Sequence, residues 1–250
     1  MTNRADIPPS IELAWGLRDR GTRGPKRGLT LERIVAAGIE VAARDGLEAV
    51  SMAGVAHELG AGTMSLYRYV NSKDELLTLM VDTALGAPDS DGEHAERGWR
   101  AGLDAWARGV RRAYKGHPWT LKVPITAPPL GPNNVAWMEG ALSAMANTPL
   151  AEFEKLSTLL LLSGFVRNHA TLAADLAAGA AAARPAATYG AILSQLADDR
   201  TFPAVHRAIA SGSLDDEEED FEADFEFGLA RILDGIESLI ASKRDDGSRT

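Results

Sequence analysis

Between Thr63 and Lys73 the chain sets short hydroxyls, aromatic rings and two cations close together: Thr63, Ser65, Tyr67, Arg68, Tyr69 and Lys73. Hydroxyl and guanidinium donors of this kind meet base edges, and cations meet phosphates, so the chemistry on offer is nucleic-acid recognition. Helical spacing gathers them on one element. Leu66, Tyr67 and Val70 recur at helical intervals after the Gly60-Ala61-Gly62 corner, and Met52, Val55, Ala56 and Leu59 do so before it. Two short amphipathic helices about a tight Gly-containing turn predict a helix-turn-helix, whose second helix enters the major groove while the first crosses the backbone. The same spacing also fits an ordinary helical hairpin inside a bundle.

The wording favours the DNA reader. SLYRYVNSKDELL resembles the recognition-helix signature of the tetracycline-repressor (TetR) family: Leu66-Tyr67, an aromatic at Tyr69, and Lys73 opening the next helix. LTLERIVAAGIEVAARDGLEAVSM is similar to that family's first helix and the start of its second, so the resemblance covers residues 28–86. A looser one runs through GWRAGLDAWARGVRRAYKGHPW and NTPLAEFEKLSTLLLLSGFVRNHA, which look like the tetracycline-repressor type of ligand-binding domain. The resemblance implies an all-α protein with a basic arm at 1–27, a helix-turn-helix DNA-binding domain at 28–86, and a larger helical ligand-binding and dimerisation domain at 93–250. It further implies a sequence-specific transcriptional regulator that binds double-stranded DNA at a pseudo-palindromic operator as a homodimer. A repressor released by a small-molecule effector is the expected form. An activator of the same family, or a helical module that docks a protein and no DNA, stands as the alternative. The expected DNA contacts are Ser51, Met52, Thr63, Met64, Ser65, Tyr67, Arg68, Tyr69 and Lys73. One departure shifts the weight among them. Many relatives place a base-contacting side chain near Ala53-Gly54, where this chain has two residues too small to reach, so readout must rest on the second helix of the motif and the arm.

Charge is distributed in keeping with that division. The net charge of −9 would repel DNA if spread evenly, but residues 1–86 hold ten Lys/Arg against eleven Asp/Glu and the acidity lies beyond them. Residues 18–27 place five positive charges, Arg23, Lys26 and Arg27 among them, against one negative just before the motif. Such an arm reaches phosphates or a minor groove, unless it is simply a solvated tail. The absence of cysteine removes disulfides and thiolate metal sites. No apolar leader opens the chain, and a cytoplasmic protein with no membrane partner is expected.

Stepping along the sequence, Thr30, Ser51 and Asn71-Ser72 are natural helix caps, and Asp45-Gly46 and Gly86 are stops. Ala87–Gly92 reads as the domain junction. Beyond it, helices are predicted at about 95–115, 135–146, 149–178, 189–196 and 203–210, with a proline-rich break at 123–134. Nine acidic residues crowd positions 215–226, and Phe221, Phe225, Leu229, Ile232, Ile236 and Ile240 form a helical stripe through and beyond them. A stripe demands an apolar partner, either within the subunit or across a dimer. The resemblance implies the dimer: Leu156 and Leu160 on the long helix, with Phe225, Leu229, Ile232 and Ile236 on the last.

Bulky apolar residues concentrate mid-domain, and Trp106, Trp119, Trp137, Met138 and Phe165, with His117, Asn168 and His169 as polar contacts, form the expected pocket for a hydrophobic or aromatic effector. Some of these must be core, since aromatics at helical spacing usually are. Some tetracycline-binding relatives hold magnesium through a His near the place of His117, but Tyr114 fits that place as well, so no metal or other cofactor is expected. Nucleophile-elbow, dinucleotide-binding and phosphate-loop motifs are all missing, and no catalytic residues are assigned.

Overall fold

The computed structural model describes residues 7–17, 29–88, 98–126, 128–182, 188–214 and 220–247. Among these, every regular element is helical. The DNA-binding part starts earlier than its motif. Pro9–Ala14 forms a short helix, α1, with Pro9 in its first turn. It buries Ile11 and Ser10, and the Ser10 hydroxyl donates to Glu75. Six residues are too few for a 3.6-residue period to register in the sequence, so this element was invisible there; only the tertiary contact makes it stable.

The next helices begin at the expected caps. In α2 (Leu31–Asp45) Thr30 Oγ1 accepts from the Arg33 N–H at 3.2 Å. In α3 (Met52–Glu58) Ser51 Oγ accepts from the Gly54 N–H at 3.0 Å. In α5 (Lys73–Leu85) Ser72 Oγ accepts from the Glu75 N–H at 3.1 Å. The turn after α3 needs Gly60, whose φ of 62° is left-handed backbone, and α4 follows at Thr63–Leu66. Ile34, Val50, Val55, Leu66, Val70, Leu76 and Met80 close one core with no exposed surface. Helices α2 and α5 approach so closely that a Cβ on Gly38 would lie 2.6 Å from the Met80 sulfur.

The second unit comprises α6 (Trp99–Gly116), α7 (Pro132–Ala144), α8 (Glu152–Ala182), α9 (Tyr189–Leu196), α10 (Pro203–Ala210) and α11 (Asp220–Gly247). Leu103, Ala107, Met145, Leu162, Val166, Phe225 and Leu229 make its core. The stripe on α11 therefore packs within its own subunit. Phe225, Leu229 and Ile236 are at most 5% exposed and face their own subunit, while Ile232 is partly buried against the same cluster and keeps some open surface. Two helices receive the stripe: α8, whose Phe165 and His169 lie against Phe225, and α6, which carries an apolar face flanked by arginines. Arg100 binds Asp234 and Glu237, Arg108 binds Glu226, and Arg111 binds Glu222 at 2.8 Å. Each exposed pair adds little stability, but a ladder of them fixes the register of two long helices. It also occupies carboxylates that a protein-docking surface would need. A run of apolar surface is left open on α8, where Phe153, Leu156, Leu160 and Leu161 are 77%, 48%, 75% and 54% exposed; α11 also leaves Phe227 open at 65%.

His169 of α8 sits beneath α11. Its Nε2 lies 2.9 Å from the Phe221 carbonyl, and Phe165, Phe221 and Phe225 surround the ring. Burial pushes the imidazole below its ordinary range; nearby Arg111 acts the same way, while Phe221, Asp224 and Glu222 oppose it. The neutral ring then donates through Nε2 and leaves Nδ1 bare, in accord with the absence of any partner for that atom. The unfolded chain thus takes up this proton first as pH falls below about 6.5, and stability drops with it. The melting temperature is expected to fall between pH 7 and pH 5, and less so in His169→Gln; equal slopes in both proteins would remove His169 as the cause. Glu222 and Glu226, held low by Arg111 and Arg108, lose their contribution only in the acid range near and below the ordinary glutamate value.

Candidate nucleic-acid interface

Helix α4 is held by its inner face alone. Leu66 and, one turn on, Val70 are buried, while Met64 is 78% and Tyr67 43% exposed, and Ser65 and Arg68 also point outward. Thr63 is half-buried at the start of the helix. Lys73 opens α5 in full solvent exposure, and among the described residues neither it nor Arg68 has a carboxylate partner. Other charges nearby are committed. Arg44 of α2 holds Glu58 of α3 at 3.0 Å and lowers its carboxyl below the usual range. The surface beside α4 thus presents two cations with no ion-pair partner among the described residues, which leaves them open to phosphates.

Three members of the expected DNA-contacting set do other work. Met52 is buried in the motif's core at 7% exposure. The Tyr69 hydroxyl donates to the Leu29 carbonyl at 2.7 Å and ties the end of the motif to the chain entering α2. Ser51 uses its hydroxyl as the α3 cap while remaining exposed. Met64, Ser65, Tyr67, Arg68 and Lys73 remain as one outward surface. Arg23, Lys26 and Arg27 lie outside the described residues.

Phosphate contacts carry no sequence information. Lys73→Ala is therefore expected to weaken specific and non-specific DNA binding together and to shallow the salt dependence by about one unit of slope. Titration of both DNAs across salt concentrations checks this, and an unchanged slope would separate Lys73 from the phosphates.

The expected effector residues do not converge. Trp106 is 8% exposed, donates to the Trp137 carbonyl at 2.7 Å and meets that indole edge-on. Trp119, at 6% exposure, joins the core of the DNA-binding part, and His117 lies edge-on to it. Phe165 stacks on Phe225, His169 is buried beside both, and Met138 and Asn168 are exposed. An open surface pocket of about 240 Å³ is lined by Leu85, Ala87, Gly109, Arg112, Ala113 and Trp137. Of the expected set it takes Trp137 alone. It lies where α5 meets α6 and α7, displaced from the mid-domain site that aromatic content suggested. Gly109 makes room for the ring, since a Cβ there would fall 2.7 Å from its outer edge. Arg112 and Leu85 carried no sequence signal, because one cation and one leucine on amphipathic helices look like any others.

A helix-turn-helix surface of this kind beside a second helical unit is the arrangement of a DNA-binding regulator. Residues 34–80 match the bacterial regulatory proteins of the tetR family, and residues 92–240 match the tetracyclin repressor-like C-terminal domain. The chain is 37% identical to the HTH-type transcriptional repressor DrrR1 of Streptomyces coeruleorubidus, over 97% of its own length and 90% of that relative's. An HTH-type transcriptional repressor of Mycobacterium tuberculosis is 27% identical over 92% of this chain and 87% of its own. The crystal structure of the Streptomyces coelicolor TetR family protein ActR in complex with actinorhodin superposes with a TM-score of 0.69 at 27% identity, covering 84% of this chain and 98% of that one. The chain belongs to the TetR family. Among its described residues no helix is long and apolar enough to cross a membrane.

Proposed function

We propose that this regulator is a homodimeric repressor that holds a pseudo-palindromic operator and is released by a small, mainly apolar effector. The observation that carries the DNA half is the outward face of α4, where Met64, Ser65, Tyr67 and Arg68 are exposed with Lys73 beside them. Dimerisation is supported by the open apolar face of α8, which would otherwise stand in water. Two copies of α4 must then lie about 34–36 Å apart to enter successive major grooves. The repressor assignment is supported by the relatives that bear that name, and the effector by ActR, whose crystal structures hold small molecules. The pocket at Trp137 is the effector site we favour. An indole wall suits an aromatic molecule. An effector that prefers the wrong spacing weakens DNA binding by its own differential affinity, and DNA opposes the effector equally.

Footprinting the purified protein on genomic fragments tests the reading. Protection of two half-sites one helical turn apart is expected. Failure to retard any fragment at low salt would leave the protein-docking alternative in its place.

A further inference from the structure

Asp82 is a carboxylate that the DNA-binding part does not use for itself. It is 3% exposed near the end of α5, three residues after Leu79 in the buried stripe. Its Oδ1 accepts from the Asn134 backbone N–H at 2.8 Å and from the Asn134 side-chain amide at 2.6 Å; its Oδ2 accepts from the Asn133 N–H at 3.3 Å. These are first-turn donors of α7, a helix with no side-chain cap of its own. The first N–H groups of a helix lack intrahelical partners, and Asp is among the best residues to satisfy them. Here the cap comes from another domain.

The exchange runs both ways. At the C-terminal end of α5, where the Gly86 N–H already caps the Asp82 and Thr83 carbonyls, α7 supplies two further donors. Asn133 Nδ2 donates to the Asp82 carbonyl at 3.0 Å, and Trp137 Nε1 donates to the Gly86 carbonyl at 2.9 Å. Gly131 marks how tight the junction is. Its φ of −69° suits any residue, yet a Cβ there would stand 2.1 Å from the Asp82 carboxylate. Glycine at 131 is demanded by the carboxylate, with no demand from the backbone.

We propose that Asp82 is the positioning residue that sets the helix-turn-helix domain on the effector domain: by serving as the N-cap of α7 it fixes the direction of α5, and with it the placement of α4 on DNA. The inference rests on the DNA-binding function proposed above and adds the joint through which that function is regulated. Trp137 both walls the pocket and donates to Gly86, so a molecule that turns the indole acts on the same joint.

Gly131→Ala tests this from the far side, because the atoms nearest its added methyl all belong to Asp82. Specific operator affinity is expected to fall about tenfold, the scale of a lost hydrogen bond to a charged group, while affinity for unrelated DNA stays the same. Asp82→Ala should lower it likewise, and the two substitutions together should fall short of the sum of their separate effects. Asp82→Asn, which keeps the Oδ1 acceptor, should retain more of the wild-type affinity. Additive effects, or specific and non-specific binding falling together, would reduce Asp82 to a stabilising contact and overturn the proposal. An unaltered operator affinity would also overturn it. A readout without DNA uses the cysteine-free chain. Spin labels at Met64→Cys and Glu139→Cys, diluted with unlabelled chain, should give a narrow distance distribution that broadens with either Gly131→Ala or Asp82→Ala. If the wild type retards no DNA, the function fails, and the spin-label distances alone decide the joint; identical distributions in all variants reject it.

Discussion

Leu156→Asp combined with Leu160→Asp is expected to give folded monomers that no longer hold an operator. Both side chains are exposed in the single chain, 48% and 75%, so the substitutions remove no contact of the protomer's own core. In a dimer that closes over α8 they would bury unpaired carboxylates, a cost no interface of ordinary size absorbs easily. One half-site held alone binds near the non-specific level, so operator affinity should fall on the order of 10³-fold or more. Light scattering reports the mass and circular dichroism the fold. Persistent dimers with normal operator affinity would move the seam to the apolar surface of α9 and α10, where Leu196 and Phe202 are also exposed. The same substitutions at Ile232 and Ile236 would not test the dimer. Those residues pack within the subunit, and charging them would unfold it.

Arg68→Ala is the second large effect. The guanidinium stands on the outward side of the recognition segment with no carboxylate partner among the described residues, so its loss leaves the fold alone. A bidentate contact with a guanine edge is worth about 1–3 kcal/mol of discrimination. Specific binding should weaken by that amount, with sequence preference relaxed at one position of each half-site. Tyr67→Phe should act in the same direction and more weakly, because it removes one hydroxyl from a half-exposed ring. A binding-site selection on each variant measures both effects. Unchanged preference in Arg68→Ala would assign readout to other members of the surface.

The distance between expectation and structure differs by element. Caps at Thr30, Ser51 and Ser72 were legible because a cap is a local contract: a hydroxyl and an N–H three residues on. The outward face of α4 was legible for a similar reason, as helical spacing separates Leu66 and Val70 from Ser65 and Arg68 before any tertiary contact exists. Met52 and Tyr69 were harder. Both lie among the expected DNA contacts in sequence, and only the packing shows one facing inward and the other bonded to Leu29. Alpha-1 escaped notice because a six-residue helix has no period to read and exists by virtue of what it touches.

By itself the sequence determined that the chain is helical, where its motif lies, which residues cap its helices and that α11 must bury a stripe. Those are properties of periodicity and near neighbours, and they are written within a few residues of each position. Tertiary structure alone decided which partner each apolar face received. The α11 stripe went to α8 and α6 together: Phe165 and His169 of α8 lie against Phe225, and arginines at 100, 108 and 111 of α6 meet carboxylates more than a hundred residues away. The aromatics expected around a mid-domain pocket went mostly into cores, leaving Trp137 at an open pocket beside the domain joint. Asp82 found its donors on α7 across some fifty residues of chain. Contacts between distant segments depend on the summed geometry of every helix between them, and no local pattern of residue types encodes that sum.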